Sequence, residues 1–349
     1  MSRLLRRVAW FTCGLAVAAS LTGAFTCLAA GAPHLAVAAL LVAVAWASAI
    51  ATAFHHRRRM LSVGAVALIA LGWLIAPAEF DRSSPTLLRT RSLAGDGTVA
   101  PPWLGRIPER EWVRLGGALA LRGSEASPEL AAQLAHLVSH ENPGVLPPGE
   151  SRAVESWVWD RRHVWIGVIP DDPGAPLVII LHGNGGNFRA YAQLLAPPLL
   201  AHGFAIAFPT NGYGCWSEAD LERVRAVRDA VESETGARPR SVILGGVSAG
   251  GIGALRIATI APEDFDGCFA ISGVEGGGAV PPIPTLLIHG TRDGRIGVEV
   301  ARRLVEDRLG VTLREIDADH FALLTQTEIV LRFLIEWLDA TGIDARSGR

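Results

Sequence analysis

The sequence predicts a globular α/β domain, with a mostly parallel sheet and helices on both of its faces, preceded by a transmembrane helical region. Three observations predict it. From residue 153 onward, short apolar runs alternate with longer helix-like runs, the rhythm of a parallel sheet covered on both sides. Two long N-terminal stretches carry no charge, and a serine between glycines sits where a strand runs into a helix.

The N-terminal stretches come first. Val8 to Phe54 contains no Asp, Glu, Lys or Arg, and a second charge-free run extends from Met60 to Ala78. A membrane-crossing helix needs about 20 apolar residues. The first run is long enough for two spans, broken at Gly31-Ala32-Pro33-His34, and the second for a third. Residues 1–78 are therefore expected to form a membrane anchor of three transmembrane helices in contact with the lipid bilayer. A signal peptide cleaved near Cys27-Leu28-Ala29-Ala30-Gly31 accounts for the first span and leaves the other two unexplained. Arg3, Arg6 and Arg7 precede span one, and His55-His56-Arg57-Arg58-Arg59 separates spans two and three. Basic loops stay in the cytoplasm, so a multi-pass membrane protein with an extracytoplasmic C-terminal domain is expected. No charge within the spans marks a transport path.

Composition removes several classes of function. The net charge of −2 over 349 residues provides no basic face for nucleic acid. Lysine is absent, which excludes a Ser-Lys dyad, a Schiff-base enzyme and a Walker phosphate loop. The four cysteines, Cys13, Cys27, Cys215 and Cys268, have no CxxC spacing, so neither a metal nor a redox cofactor is expected. Cys215 and Cys268 either pair in an oxidising compartment or serve as small buried apolar residues.

Residues 79–152 read as a linker with two short helices, Glu109 to Leu121 and Pro128 to Glu141, the second capped by Ser127. His136 and His140 have zinc-binding spacing, but Leu137 stands where a zinc protease carries its glutamate, so they read as a solvated helix face. Whether this segment covers part of a site or acts as a spacer is left open. Residues 153–349 form the α/β domain. Glu155 to Trp159 and Val164 to Ile169 suggest a hairpin, and Leu177 to Leu181 a fully buried parallel strand. A helix over Tyr191 to Leu200, a strand at Phe204 to Phe208, a helix from Glu218 to Glu234 and a strand at Val242 to Leu244 come next. The pattern continues with a helix from Gly251 to Ile260, strands at Cys268 to Ile271 and Leu286 to His289, and a helix from Val298 to Leu309. A strand at Val311 to Ile316 and a helix from Gln326 to Leu338 close it.

The strand ending at Leu244 leads into Gly245-Gly246-Val247-Ser248-Ala249-Gly250-Gly251. This is G-x-S-x-G in the setting its mechanics require, a tight strand-to-helix turn that exposes the serine. Upstream, the strand Leu177 to Leu181 ends in His182-Gly183-Asn184-Gly185-Gly186. Glycines there allow backbone N–H groups to face an oxyanion, and those of Asn184 and Ala249 are the candidates. An ordinary glycine turn or a phosphate-binding loop is the alternative. Two further strands lead into Gly290-Thr291-Arg292-Asp293 and Asp317-Ala318-Asp319-His320-Phe321. A serine nucleophile needs a neutral imidazole to take its proton and a carboxylate to orient that imidazole. All these residues lie just past carboxyl ends of strands, where open α/β sheets bind ligands.

In HGNGG, GVSAGG, HGTRD and DHF, with the order Ser, Asp, His, residues from about 153 to 340 resemble the α/β-hydrolase superfamily. The esterase, dienelactone-hydrolase and prolyl-peptidase-like branches are the most similar. The resemblance implies an α/β-hydrolase fold with Ser248 as nucleophile, Asp293 as acid and His320 as base, and an oxyanion loop at His182 to Gly186. Glu275, Asp317 and Asp319 are rival acids. His182 and His289 read as structural residues at strand ends. Two departures stand out: the segment from Ser272 to Thr285 is too short and too rich in Gly and Pro for a cap insertion, and Gly294-Arg295-Ile296-Gly297 replaces the valine and proline common after the acid.

The reaction the resemblance implies is hydrolysis of a carboxylic ester, on a small-molecule or lipid substrate, through an acyl-enzyme. Tyr213 and Trp216, beside Cys215, come after the strand at Phe208 and are candidates to line the substrate pocket or to pack beneath it. Peptide hydrolysis by the same triad and a non-catalytic membrane-bound binding protein are the competing readings.

Overall fold

The computed structural model describes residues 17–25, 39–44, 88–93, 163–168, 172–184, 189–211, 215–278, 280–306 and 308–342. Its C-terminal part runs through β1 (Leu88–Ser92), β2 (His163–Gly167), β3 (Leu177–Leu181), α1 (Arg189–Ala201), β4 (Ala205–Pro209) and α2 (Leu221–Thr235). It continues with β5 (Val242–Val247), α3 (Ala249–Ile260), β6 (Gly267–Ile271), β7 (Thr285–Gly290), α4 (Val298–Val305), β8 (Val311–Ile316), α5 (Ala322–Thr325) and α6 (Thr327–Ala340).

All eight strands join one sheet in the order β1-β2-β4-β3-β5-β6-β7-β8. β2 runs antiparallel to both β1 and β4, and the remaining pairings are parallel. The central strands are apolar and β-branched, and β3 to β7 are buried along their whole length, as a sheet covered on both faces requires. One layer, α1 with α6, packs Leu195, Leu199, Leu334 and Trp337 against one face. The other, α2, α3 and α4, packs Val224, Val227, Ile257 and Leu304 against the opposite face. α2 is framed by local chemistry. Ser217 and Asp220 form a capping box ahead of it, and Gly236, with φ of 75°, ends it in the left-handed conformation that glycine adopts without strain.

From β3 the chain moves outward to β4 and then crosses back to β5 on the other side of β3. The carboxyl ends of β3 and β5 thus flank a topological switch point, the place where open α/β sheets bind ligands. Phe204, Phe208, Phe269 and Trp216 are almost wholly buried around these strands.

Several expectations are corrected. The sheet begins at β1, inside the segment read as a linker; LRTRS has no apolar run to betray a strand. β2 pairs with β1 on one edge and β4 on the other; its expected hairpin partner at 155–159 lies outside the described residues. The Val298 helix stops at Val305 rather than Leu309, where Glu306 turns extended with ψ of 123°. Of the two alternatives left for Cys215 and Cys268, pairing is the one the structure does not form: both are free thiols, the first exposed and the second buried on β6. Residues 272–278 and 280–284 contain no helix, in keeping with the absence of a cap between β6 and β7.

Among the described residues no helix is long and apolar enough to cross a membrane. Of the three expected spans only residues 17–25 and 39–44 are described; both are helical, and Leu21, Phe25, Leu40 and Val42 are exposed on them. The third span, the two linker helices, and His136 with His140 lie outside the described residues.

Candidate active site

β5 leaves the sheet at Val247, and Ser248 turns with φ of 54° and ψ of −120° into the first turn of α3. Its N–H donates to the Ile271 carbonyl at 2.8 Å, which ties the elbow to β6. The turn depends on Gly250. A side-chain carbon there would land on the Leu181 carbonyl oxygen, so α3 rests directly on the backbone of β3. Ser248 is half-buried, and its hydroxyl lies 2.9 Å from Nε2 of His320.

His320 sits in the turn after β8. Arg292 N–H donates to the Ala318 carbonyl and Phe321 N–H to Oδ1 of Asp319, which joins this turn to the one after β7. Phe321 meets the imidazole edge-on with ring centroids 5.6 Å apart, and the Arg295 guanidinium lies over Phe321. Nδ1 of His320 is 2.7 Å from Oδ2 of Asp293. A carboxylate oxygen accepts, so the ring proton sits on Nδ1 and leaves Nε2 as the acceptor for the serine hydroxyl.

Asp293 is buried beside β7, and its Oδ1 accepts the N–H groups of Arg295 and Ile296 at 2.9 Å each. Burial alone would raise its pKa. Donors from His289, His320 and the two backbone amides outweigh that and hold the carboxyl below the ordinary carboxylate range. The rival acids are engaged elsewhere. Glu275 makes a bidentate pair with Arg256 at 2.7 and 2.6 Å, Asp317 faces Arg292, and Asp319 caps its own turn.

Leu181 of β3 pairs with Gly246 of β5, and Asn184 and Ala249 each come three residues later. Both oxyanion candidates are therefore carried past the same edge of the sheet at equal offsets. Ala249 opens α3, where first-turn N–H groups have no acceptor within the helix. Asn184 is exposed, and its side-chain oxygen accepts a hydrogen bond from the Cys215 thiol at 3.2 Å. Beneath this loop His182 is buried. Its Nδ1–H donates to the Gly183 carbonyl at 2.7 Å, and Nε2 accepts from Asn211 N–H at 3.3 Å. Burial lowers its pKa to about 4, so the ring stays neutral.

Trp216 is not a pocket wall. It is 1% exposed, donates its indole N–H to the His182 carbonyl at 3.0 Å and abuts Gly253 of α3, so it is a packing residue under the loop that carries Asn184. Tyr213 lies outside the described residues. Two side chains near the site had no place in the sequence reading of the chemistry. A carbon added at Gly183 would lie 3.3 Å from the Tyr191 hydroxyl and 3.5 Å from Ser248 Cβ, so Tyr191 stands close to Ser248. His289 lies 3.3 Å from Asp293 through Nε2. Its position four residues before Asp293 was the available signal; for Tyr191 there was none. Among the described residues no group of three or more His, Cys, Asp or Glu side chains is arranged to hold a metal ion.

No family model matches the chain. A curated protein described as "Putative esterase NocK", from Nocardia uniformis subsp. tsuyamanensis, is 30% identical over 155 residues, which is 38% of this chain and 44% of that protein. The chain thus spans less than half the length of this relative. Similar solved structures include a thermostable esterase, at 21% identity with 51% of this chain and 58% of that chain covered. Another is Est1E from Butyrivibrio proteoclasticus at 17% identity, with 51% and 94% covered; both have TM-scores of 0.41.

Proposed function

We propose that the chain is a serine hydrolase of the α/β-hydrolase superfamily that cleaves carboxylic esters through an acyl-enzyme. The observation that carries this reading is the unbroken hydrogen-bonded path from the Ser248 hydroxyl through both nitrogens of His320 to Asp293. Nε2 of His320 takes the hydroxyl proton as Oγ attacks the ester carbonyl carbon. The carbonyl oxygen, now negative, accepts hydrogen bonds from the N–H groups of Asn184 and Ala249. Collapse breaks the bond to the leaving alcohol, which receives the proton from His320. A water molecule then repeats the sequence, and the acid departs with Ser248 restored. Asp293 keeps its charge throughout and balances the imidazolium.

The partial likeness to an esterase supports an ester as substrate, small or lipid-derived. Residues 1–78 are proposed to tether the enzyme to a bilayer with its catalytic domain outside the cytoplasm, on the strength of their charge-free runs and flanking arginines.

A fluorophosphonate probe tests the mechanism: it is expected to label Ser248, and labelling that survives Ser248→Ala overturns it. A chain-length series of nitrophenyl esters beside aminoacyl nitroanilides tests the reaction class; faster turnover of the anilides would assign a peptidase. A reporter fused after Arg349 that works only in the cytoplasm would reverse the topology.

A further inference from the structure

We propose that His289 is a positioning residue, which holds Asp293 and the turn that carries it in the geometry His320 needs. The inference deepens the serine-hydrolase reading and rests on it. His289 lies in β7 with a side chain 1% exposed. Its Nε2 is 2.7 Å from the Ile296 carbonyl oxygen and 3.3 Å from Oδ2 of Asp293, while Nδ1 is buried without a partner. Neither oxygen can donate, so the ring proton is on Nε2 and points at both.

An unpaired nitrogen in the core is unfavourable. A side chain needed only to fill this place would be apolar, as Leu287 and Ile288 are at the preceding positions. What the imidazole adds is closure of the acid turn. Ile296 donates its N–H to Oδ1 of Asp293 and accepts from His289 through its carbonyl, so this one residue is gripped on both sides. The carboxylate is then surrounded by four donors: the N–H groups of Arg295 and Ile296 at Oδ1, and the rings of His320 and His289 at Oδ2. The same donors keep it ionised. His289 touches neither Ser248 nor the space above it in any hydrogen bond, so its influence passes through Asp293.

Two variants separate a donor from a filler. Methionine approximates the bulk of the ring without an N–H, and glutamine brings an amide N–H to about the reach of Nε2. His289→Met is expected to lower kcat on a nitrophenyl ester about 10- to 100-fold, with KM within twofold, and to slow fluorophosphonate labelling in proportion. His289→Gln is expected to restore most of both. In an Asp293→Asn background His289→Met is expected to change labelling less than twofold, because the group it acts through is already impaired. A His289→Met enzyme within twofold of the parent, or an equal loss in both backgrounds, overturns the proposal. Should His289→Met fail to fold, His289→Gln and His289→Asn carry the test, since asparagine cannot reach the Nε2 position; equal activity of the two overturns it. Labelling of Ser248 that ignores residue 289 removes only this role, whereas labelling that survives Ser248→Ala removes the parent reading.

Discussion

Ser248 and Ser272 stand at the ends of adjacent parallel strands and share an unusual backbone. Val247 of β5 pairs with Ile271 of β6, so the two serines come directly after matched residues. With φ of 54° and 50°, they are the two positive-φ residues other than glycine among those described. Each donates its N–H to the next strand, Ser248 to Ile271 and Ser272 to Ile288. Their side chains have opposite fates. Ser248 is half-buried with its hydroxyl on His320, while Ser272 is 1% exposed and its hydroxyl has no partner. Backbone strain of about 1 to 3 kcal/mol belongs to both, so strain by itself does not make a nucleophile. The two serines differ in the element each one opens and in the group opposite its hydroxyl. Ser248 starts a 12-residue helix and meets an imidazole, whereas Ser272 leads into a glycine that packs on the Ser248 carbonyl. The second turn is a wall for the first.

Four experiments would break or sharpen this contrast. Ser248→Ala is expected to reduce ester turnover by at least about 10³-fold, while Ser272→Ala stays within twofold in the same steady-state assay. An equal loss at both positions would erase the distinction. Next in size is Gly250→Ala, whose new carbon would overlap the Leu181 carbonyl oxygen; a loss of about 3 kcal/mol or more is expected in urea unfolding. Gly276→Ala, in the stretch beyond Ser272, meets nothing within 4 Å and is expected to stay within about 0.5 kcal/mol.

The third concerns His182, beneath the loop that carries Asn184 on the Ser248 side. Its pKa falls from 6.5 in the unfolded chain to about 4 when folded, because burial disfavours the charged ring. Between those values the unfolded state binds more protons, so stability is complete above pH 6.5 and declines as pH falls toward about 4. His182→Gln is expected to flatten that stretch of a stability-against-pH curve, and an unchanged slope would refute the assignment. Smallest is Ser272→Gly, which relieves the left-handed backbone and removes an unpaired buried hydroxyl. The unfolding free energy is expected to be unchanged or to rise by up to about 1 kcal/mol. A marked loss would show that the hydroxyl has a role after all.

The α/β pattern was readable wherever a strand was apolar. The limits of β3 and β8 coincide with the runs Leu177 to Leu181 and Val311 to Ile316; in β3 burial on both faces leaves its mark on composition, and β8 opens on the β-branched Val311 and Thr312. β1 was not readable, since LRTRS gains its strand identity from pairing with β2 rather than from its own residues. At the site, Ser248, Asp293 and His320 were singled out by their places after strands, and the structure brings them within hydrogen-bonding distance. Trp216 was ambiguous because an aromatic residue after a strand can face a pocket or a core. Its indole bond to His182 and its contact with Gly253 decide for the core. His289 passed for a strand-end residue because sequence carries no information on which way a ring nitrogen points.

β8, the strand that delivers His320, is one of the two edge strands among the described residues and is partly exposed along most of its length. β5, which delivers Ser248, is held between β3 and β6 and buried throughout. His320 therefore hangs from the margin and Ser248 from the centre. Fraying at a margin is less uphill than opening the whole molecule, so on gentle warming catalysis is expected to fade before the cooperative melt, and reversibly, as the margin reseats on cooling.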